Sequence, residues 1–282
     1  DLWGRNGHFY QKHVAKWLDI ASYQLDAEFI ATTGDNFYDN GIASVDDPYW
    51  ISSYEAVYHQ PHLFINWHPV LGNHDYRGNW QAQIDYSVKS RRWEMPAQYY
   101  SKTLALDDGA TALLLFIDTS PLNPDYAREA KYQEAYEQGA SEQLSWINTM
   151  LAQDQYTWKV VIGHHPLYSS GKRYGKTNAI KDVLEPVFHK HNVNLYIAGH
   201  EHDLQHNQLA GDELVHVVSG GGSEVRPVGN YEFTQFAKST GGFVSVSMTA
   251  KSIFLNYIDH QGKKVYAHTI NKPNTASSSS TL

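Results

Sequence analysis

The chain has 282 residues, no cysteine and a net charge of −8, from 22 basic against 30 acidic residues. That length suffices for one large domain with a full hydrophobic core. The lack of cysteine excludes disulfides and thiolate ligands, so any metal must be held by His, carboxylate, amide or Tyr. The acidic balance argues against a sequence-independent nucleic-acid binder, which needs a basic surface. No apolar run approaches membrane-spanning length, and no signal-peptide pattern opens the sequence as given.

In chain order, residues 7–24 predict a helix and residues 28–33 a short buried strand ending at Gly34. Residues 68–71 (HPVL) read as a brief strand before Gly72, and residues 112–118 and 159–162 as apolar, β-branched strands. Between these two, residues 141–154 predict a helix with Ser141 as N-cap. A further helix is expected over 178–191 and a strand over 194–198. Residues 243–270 alternate apolar and polar, with a turn-like His260-Gln261-Gly262, which predicts antiparallel strands. The sum is an α/β domain over residues 1–271, without repeat or linker, followed by a disordered Ser/Thr-rich tail over 272–282. The loop over 225–237 is expected to frame the pocket.

The chemistry sits in four short motifs, each opened by a glycine after a strand candidate. They are Gly34-Asp35-Asn36-Phe37-Tyr38, Gly72-Asn73-His74-Asp75, Gly163-His164-His165-Pro166 and Gly199-His200-Glu201-His202. Ligand sites in open α/β sheets lie at the carboxyl ends of strands, so groups delivered there converge although dispersed in sequence. His200 and His202 sit two apart on one turn, His164 adds an imidazole, Asn73 a carbonyl oxygen, and Asp35 a carboxylate able to bridge two cations. This mixed N/O set suits Fe, Mn or Zn better than Ca or Mg. Two such ions clamp a phosphate and generate hydroxide for in-line attack. Singly, each motif is as well explained by a structural turn; together, in this order, they are not.

The order GDxxY, GNHD, GHxP, GHxH resembles the calcineurin-like metallophosphoesterases, and the Tyr of the first motif resembles the small, mammalian-like purple acid phosphatases. The likeness extends through GNWQAQIDYSVKSRRWEMPAQYY, SEQLSWINTML, GHEHDLQH, SGGGSE and GGFVSVSM, over residues 3–270. It implies a four-layer α/β/β/α sandwich that hydrolyses phosphate monoesters at acid pH, with metal-bound hydroxide as nucleophile and no phosphoenzyme. Fe(III) is implied beside a divalent Fe, Zn or Mn. By resemblance Asp35 bridges, Tyr38 and His202 bind the ferric ion, and Asn73, His164 and His200 bind the divalent one. His74 would contact phosphate or protonate the leaving group. Small phosphorylated substrates or phosphoproteins are the implied partners, with inorganic phosphate as product, no nucleic acid or membrane, and a secreted or periplasmic location. Rival readings are a phosphodiesterase or nucleotide phosphatase on the same scaffold, and a non-catalytic relative that binds metal or phosphate.

The sequence departs from the family twice. A strand and a D-x-G turn supply a ferric ligand in the family; here the strand is missing and the chain reads Asp1-Leu2-Trp3-Gly4. Either Leu2 occupies the ligand position, where it cannot coordinate, or a one-residue insertion lets Asp1 reach the metal. Second, the family's substrate-side His about nine residues after His164 is replaced by Arg173 or Tyr174. Either could contact phosphate, Arg173 as a fixed bidentate donor, and leaving-group chemistry falls to His74 with His165. His189, His191, His206 and His216 are expected to be structural or surface residues, and Trp80, Trp93 and Trp146 core or lining residues.

Overall fold

The computed structural model describes residues 7–272. Asp1, with the chain start to residue 6, and the tail from 273 onward lie outside the described residues. The chain opens with α1 (Gln11–Leu25), then β1 (Phe29–Ala31) and β2 (Asn66–His68), which pair in parallel. A short α2 (Gln81–Asp85) precedes the hairpin β3 (Tyr100–Ala105) and β4 (Thr111–Phe116). Then come α3 (Gln133–Glu137), α4 (Ser141–Leu151), β5 (Trp158–Ile162), α5 (Asn178–Lys190) and β6 (Leu195–Ala198). The last part is all strand: β7 (Leu204–Asn207), β8 (Val215–Ser219), β9 (Thr234–Lys238), β10 (Gly242–Met248), β11 (Ser252–Asp259) and β12 (Lys264–Asn271).

Seven strands form the large sheet, in the order β3-β4-β5-β6-β8-β7-β9, with β4, β5, β6 and β8 mutually parallel at its centre. Every residue of β5 is buried, as expected of a strand covered on both faces. One face meets α4 and α5 through Leu113, Leu115, Ile147, Leu151, Leu184 and Phe188. The other meets the smaller sheets through Leu114, Phe116, Val160, Trp67, Ile30 and Leu255. Beyond β10, α1 closes the stack with Val14 and Ala21 against Phe243. Helices, large sheet, small sheets and helix make the expected four layers. The antiparallel β10-β11-β12 meander is also as the alternation indicated.

Local departures have physical causes. The strand expected at 68–71 lies at Asn66–His68 instead, ending where Pro69 has no N–H to give the ladder. Ser141 is not the N-cap: Ala140 holds that place, its carbonyl accepting the Leu144 N–H at 2.9 Å, and Ser141 is the first helical residue. The segment over 225–237 is not all loop, since β9 begins at Thr234. Lys272, assigned to the disordered tail, instead donates its N–H to the Lys251 carbonyl at 2.9 Å.

Candidate metal centre

β1, β2, β5 and β6 all end at the same place, and the four glycine-led motifs follow them. The first two turns are pressed together. A Cβ on Gly72 would lie 2.1 Å from the Asp35 backbone nitrogen, so no other residue fits there without moving the motif. Asp75 clamps the pair: its buried carboxylate accepts the backbone N–H groups of Gly72 (2.8 Å), Asn36 (3.1 Å) and Phe37 (3.3 Å). Burial, with the charge of Asp35 second, pushes Asp75 up to about 7. The strain falls on the donors themselves: Asp35 (φ 48) and His200 (φ 65) hold left-handed backbone, which a side chain adopts only under constraint.

The expected donors converge in two groups joined by Asp35. In one, His164 Nε2 lies 3.1 Å from Asn73 Oδ1, 2.9 Å from His200 Nδ1 and 3.4 Å from Asp35 Oδ2. In the other, the Tyr38 hydroxyl donates to Asp35 Oδ2 and lies 3.3 Å from His202 Nε2. His164 Nδ1 faces the Thr33 carbonyl at 2.7 Å, an acceptor only, so that ring proton sits on Nδ1 and Nε2 is the atom presented to the centre. Burial and the Arg173 charge hold His200 well below its usual range, and burial with the Arg226 charge does the same for His202. Burial is the largest influence on Asp35 and raises it, but His164, His74 and the Tyr38 hydroxyl together outweigh it and keep the carboxyl well below its usual range. Burial and Asp35 raise Tyr38.

Carboxylate, carbonyl and imidazole lone pairs held this close in a dry pocket repel unless a cation lies among them. The donor set would therefore fit borderline or hard metal ions.

The three substrate-side candidates are not equivalent. His74 is half-buried, its Nδ1 donating to the Asp39 carbonyl at 2.6 Å and its N–H to Asp35 Oδ1 at 2.8 Å. Nε2 is then the atom it offers to substrate. His165 also brings a ring nitrogen within 4.8 Å of those of His164 and His200. Both its nitrogens are engaged, however, Nδ1 with Thr119 Oγ1 (2.7 Å) and Nε2 with the Tyr126 hydroxyl (2.6 Å). Burial and His164 hold it well below the usual histidine range. Arg173 Nη1 donates to the His200 carbonyl at 3.0 Å and lies 3.4 Å from Glu201 Oε2. Tyr174 instead stacks on Tyr231, ring centroids 3.5 Å apart, and is exposed. A cavity of about 250 Å³ opens beside the centre, lined among others by Tyr126, Glu129, His165, Arg173, Lys176 and His200.

Sequence reasoning missed the groups that hold these side chains. Tyr132 accepts from the Asn73 amide at 2.6 Å, Tyr126 and Thr119 fix His165, and Asp75 was seen in its motif but given no role. Only Asp75 carried a signal, its place three residues after Gly72. The expected bystanders stand as expected. His189 meets Asp212, His191 meets Asn148, His206 and His216 are buried away from the centre, and Trp93 is core.

Residues 7–204 match the family description of the calcineurin-like phosphoesterases. Purple acid phosphatase 4 of Arabidopsis thaliana is 32% identical over 276 residues, spanning 94% of this chain and 80% of the relative. The chain belongs to the purple acid phosphatases. Tartrate-resistant acid phosphatase type 5 of Sus scrofa is 33% identical over 269 residues, covering 89% of this purple acid phosphatase and 78% of its own length. The purple acid phosphatase PPD1 of yellow lupin seeds shares the fold, with a TM-score of 0.68 at 17% identity over 95% of this chain and 50% of that one. A TM-score of 0.82 relates it to GAP50, described as the anchor in the inner membrane complex of Plasmodium, at 25% identity over 96% and 86% of the two chains. Membership makes the chain a metal-dependent phosphomonoester hydrolase, an acid phosphatase with a dinuclear centre acting on phosphorylated substrates. Among the described residues no helix is long and apolar enough to cross a membrane.

Proposed function

We propose that Asp35, Tyr38 and His202, with Asp1 completing the set, hold Fe(III), and that Asn73, His164 and His200 hold a divalent Fe, Zn or Mn shared through Asp35. The observation that carries this is the junction at Asp35, whose Oδ2 lies 3.4 Å from His164 Nε2 and also accepts the Tyr38 hydroxyl. When bound, the ions supply Lewis acidity that activates water and neutralises phosphate charge. His74 supplies the proton to the leaving oxygen from Nε2, its Nδ1 being tied to Asp39. Burial lowers its pKa below the ordinary histidine value. Arg173, fixed by Glu201, meets the phosphate from the His200 side, and His165 shapes the cavity wall. One domain over residues 1–271 carries all of this. The proposed location is secreted or periplasmic, and the proposed substrates are small phosphorylated compounds or phosphoproteins.

Elemental analysis of protein loaded with iron and zinc, with hydrolysis of an aryl phosphate measured in parallel, tests the reading. About two ions per chain, one of them iron, with turnover abolished by chelation, is the expected result. Phosphate bound without turnover, or a single ion per chain, would sink the assignment.

A further inference from the structure

The Asn73 amide donates to the Tyr132 hydroxyl at 2.6 Å while its Oδ1 lies 3.1 Å from His164 Nε2, so the centre depends on where that hydroxyl stands. Tyr132 belongs to none of the four motifs. It closes the 3₁₀ turn Ala130–Tyr132, on the irregular stretch between β4 and α3. The side chain is buried and its ring packs on that of Tyr126, centroids 4.2 Å apart. Ring packing alone does not fix the oxygen at the tip within the half ångström or so that a ligand-orienting bond needs; a hydrogen bond to that oxygen does.

Arg77 makes that bond. Its Nη2 donates to the Tyr132 hydroxyl, and its Cζ lies 5.3 Å from the ring centroid. At its other end Arg77 is rooted in the second motif. It closes the 3₁₀ turn Asp75–Arg77 directly after His74, and its backbone N–H donates to the His74 carbonyl at 3.1 Å. Nη1 reaches the Asp39 carbonyl at 3.4 Å, the oxygen that also takes the His74 Nδ1 proton. Nε is buried and has no hydrogen-bond partner among the described residues.

A guanidinium is planar, with its donors set at fixed angles, so a fork held at Asp39 on one side aims the nitrogen that meets Tyr132 on the other. The bonds form a closed path from His74 through Arg77 and Tyr132 to Asn73, which precedes His74 in the chain. A second bond joins the same two stretches, from Trp80 Nε1 to Glu134 Oε1 at 2.9 Å, but it does not involve the Tyr132 oxygen.

We propose that Arg77 is a positioning residue of this centre: it seats the Tyr132 hydroxyl against the Asn73 amide and thereby holds Asn73 Oδ1 toward the divalent ion. It acts through Tyr132 and meets neither metal nor phosphate. This rests on the assignment of Asn73 to the divalent ion given above.

The test titrates zinc into the full chain by calorimetry, for wild type, Arg77→Met, Tyr132→Phe and the double variant, with KM measured at saturating zinc. In Arg77→Met zinc affinity should fall by about 10-fold, the lower end for groups that orient a metal ligand. The double variant should bind zinc as Tyr132→Phe does, since residues acting along one path of bonds do not add. KM should stay at the wild-type value, and Arg77→Lys should recover part of the lost affinity. Trp80→Phe, which loosens the same stretch without touching Tyr132, should bind zinc as wild type does. Unchanged affinity in Arg77→Met would overturn the proposal, as would losses that add in the double variant or an equal loss in Trp80→Phe. A raised KM with normal zinc affinity would also overturn it, by making Arg77 a phosphate contact. Wild-type zinc affinity in Asn73→Ala would instead overturn the assignment of Asn73, and this inference with it.

Discussion

The side-chain amide of Asn73 donates to the hydroxyl of Tyr132 at 2.6 Å, and that contact decides which end of Asn73 faces the centre. With the nitrogen engaged by Tyr132, Oδ1 is left toward His164 Nε2. Tyr132→Phe removes the acceptor and allows the amide to turn. Affinity for the divalent ion should fall by about 10-fold to 100-fold, as for other groups that orient a metal ligand. Metal titration of the purified variant, with fold checked by circular dichroism, measures this; wild-type affinity would mean that Asn73 is oriented by something else.

His74→Ala separates leaving-group chemistry from binding. Turnover of an alkyl phosphate, whose leaving group needs a proton, should drop by about 100-fold. A nitrophenyl ester needs that proton far less and should lose much less. Equal losses for both esters would assign His74 to phosphate binding alone.

At Gly72 the prediction concerns stability. A methyl group there meets the backbone nitrogen of Asp35 at 2.1 Å, and no flexible side chain can yield. Gly72→Ala should cost about 3 kcal/mol or more in urea unfolding. A variant as stable as wild type would show that the two turns slide apart easily.

Acid pH should destabilise this acid phosphatase through two buried histidines that are not among the candidate metal ligands. His206 is buried in β7, 4.3 Å from the His268 ring of β12 and 3.0 Å from the Tyr266 hydroxyl. Burial and the neighbouring His268 bring it to about 4. His216 in β8, between Tyr168 and Tyr196 with Asp212 and His189 nearby, is brought by burial to about 3. Both folded values lie below the ordinary 6.5, so below 6.5 the unfolded chain takes up more protons. Stability is full above that pH and falls as pH drops toward 4 and 3, by about 1.4 kcal/mol per pH unit for each ring. Neither ring nitrogen of His216 has a hydrogen-bond partner among the described residues, so phenylalanine loses nothing there. Urea unfolding between pH 7 and 5 should show a shallower decline for His216→Phe than for wild type. Parallel declines would remove His216 from the account.

Much of the centre was legible because its signal is local: a glycine, then a donor, at the end of an apolar strand. The ligands in Gly34–Tyr38 and Gly199–His202 needed no knowledge of what lay across the cleft. Residues that act across the fold gave no such sign. Tyr126 and Tyr132 sit in short 3₁₀ turns and Arg226 in a loop, and only folding brings them to His165, Asn73 and His202. The same blindness hid β7, whose Leu204-Gln205-His206-Asn207 looks polar yet is wholly buried because its amides and imidazole find partners across the sheets. The edge strand β9 and the hairpin strand β3 gave no clear strand signal, since polar residues interrupt both, Thr234, Gln235 and Lys238 in one and Ser101, Lys102 and Thr103 in the other.

Asp35 and Asn73 hang from the small pair β1 and β2, whereas His164, His200 and His202 hang from the large sheet. The centre is thus a seam, and beneath it the two sheets meet where His68 of β2 lies beside Phe116 of β4, ring centroids 5.6 Å apart. Trimming Phe116 would touch no ligand, yet it would remove packing between the sheets that carry the two rows of donors. Catalytic tuning in this protein therefore extends well below its surface, into side chains that never meet a substrate.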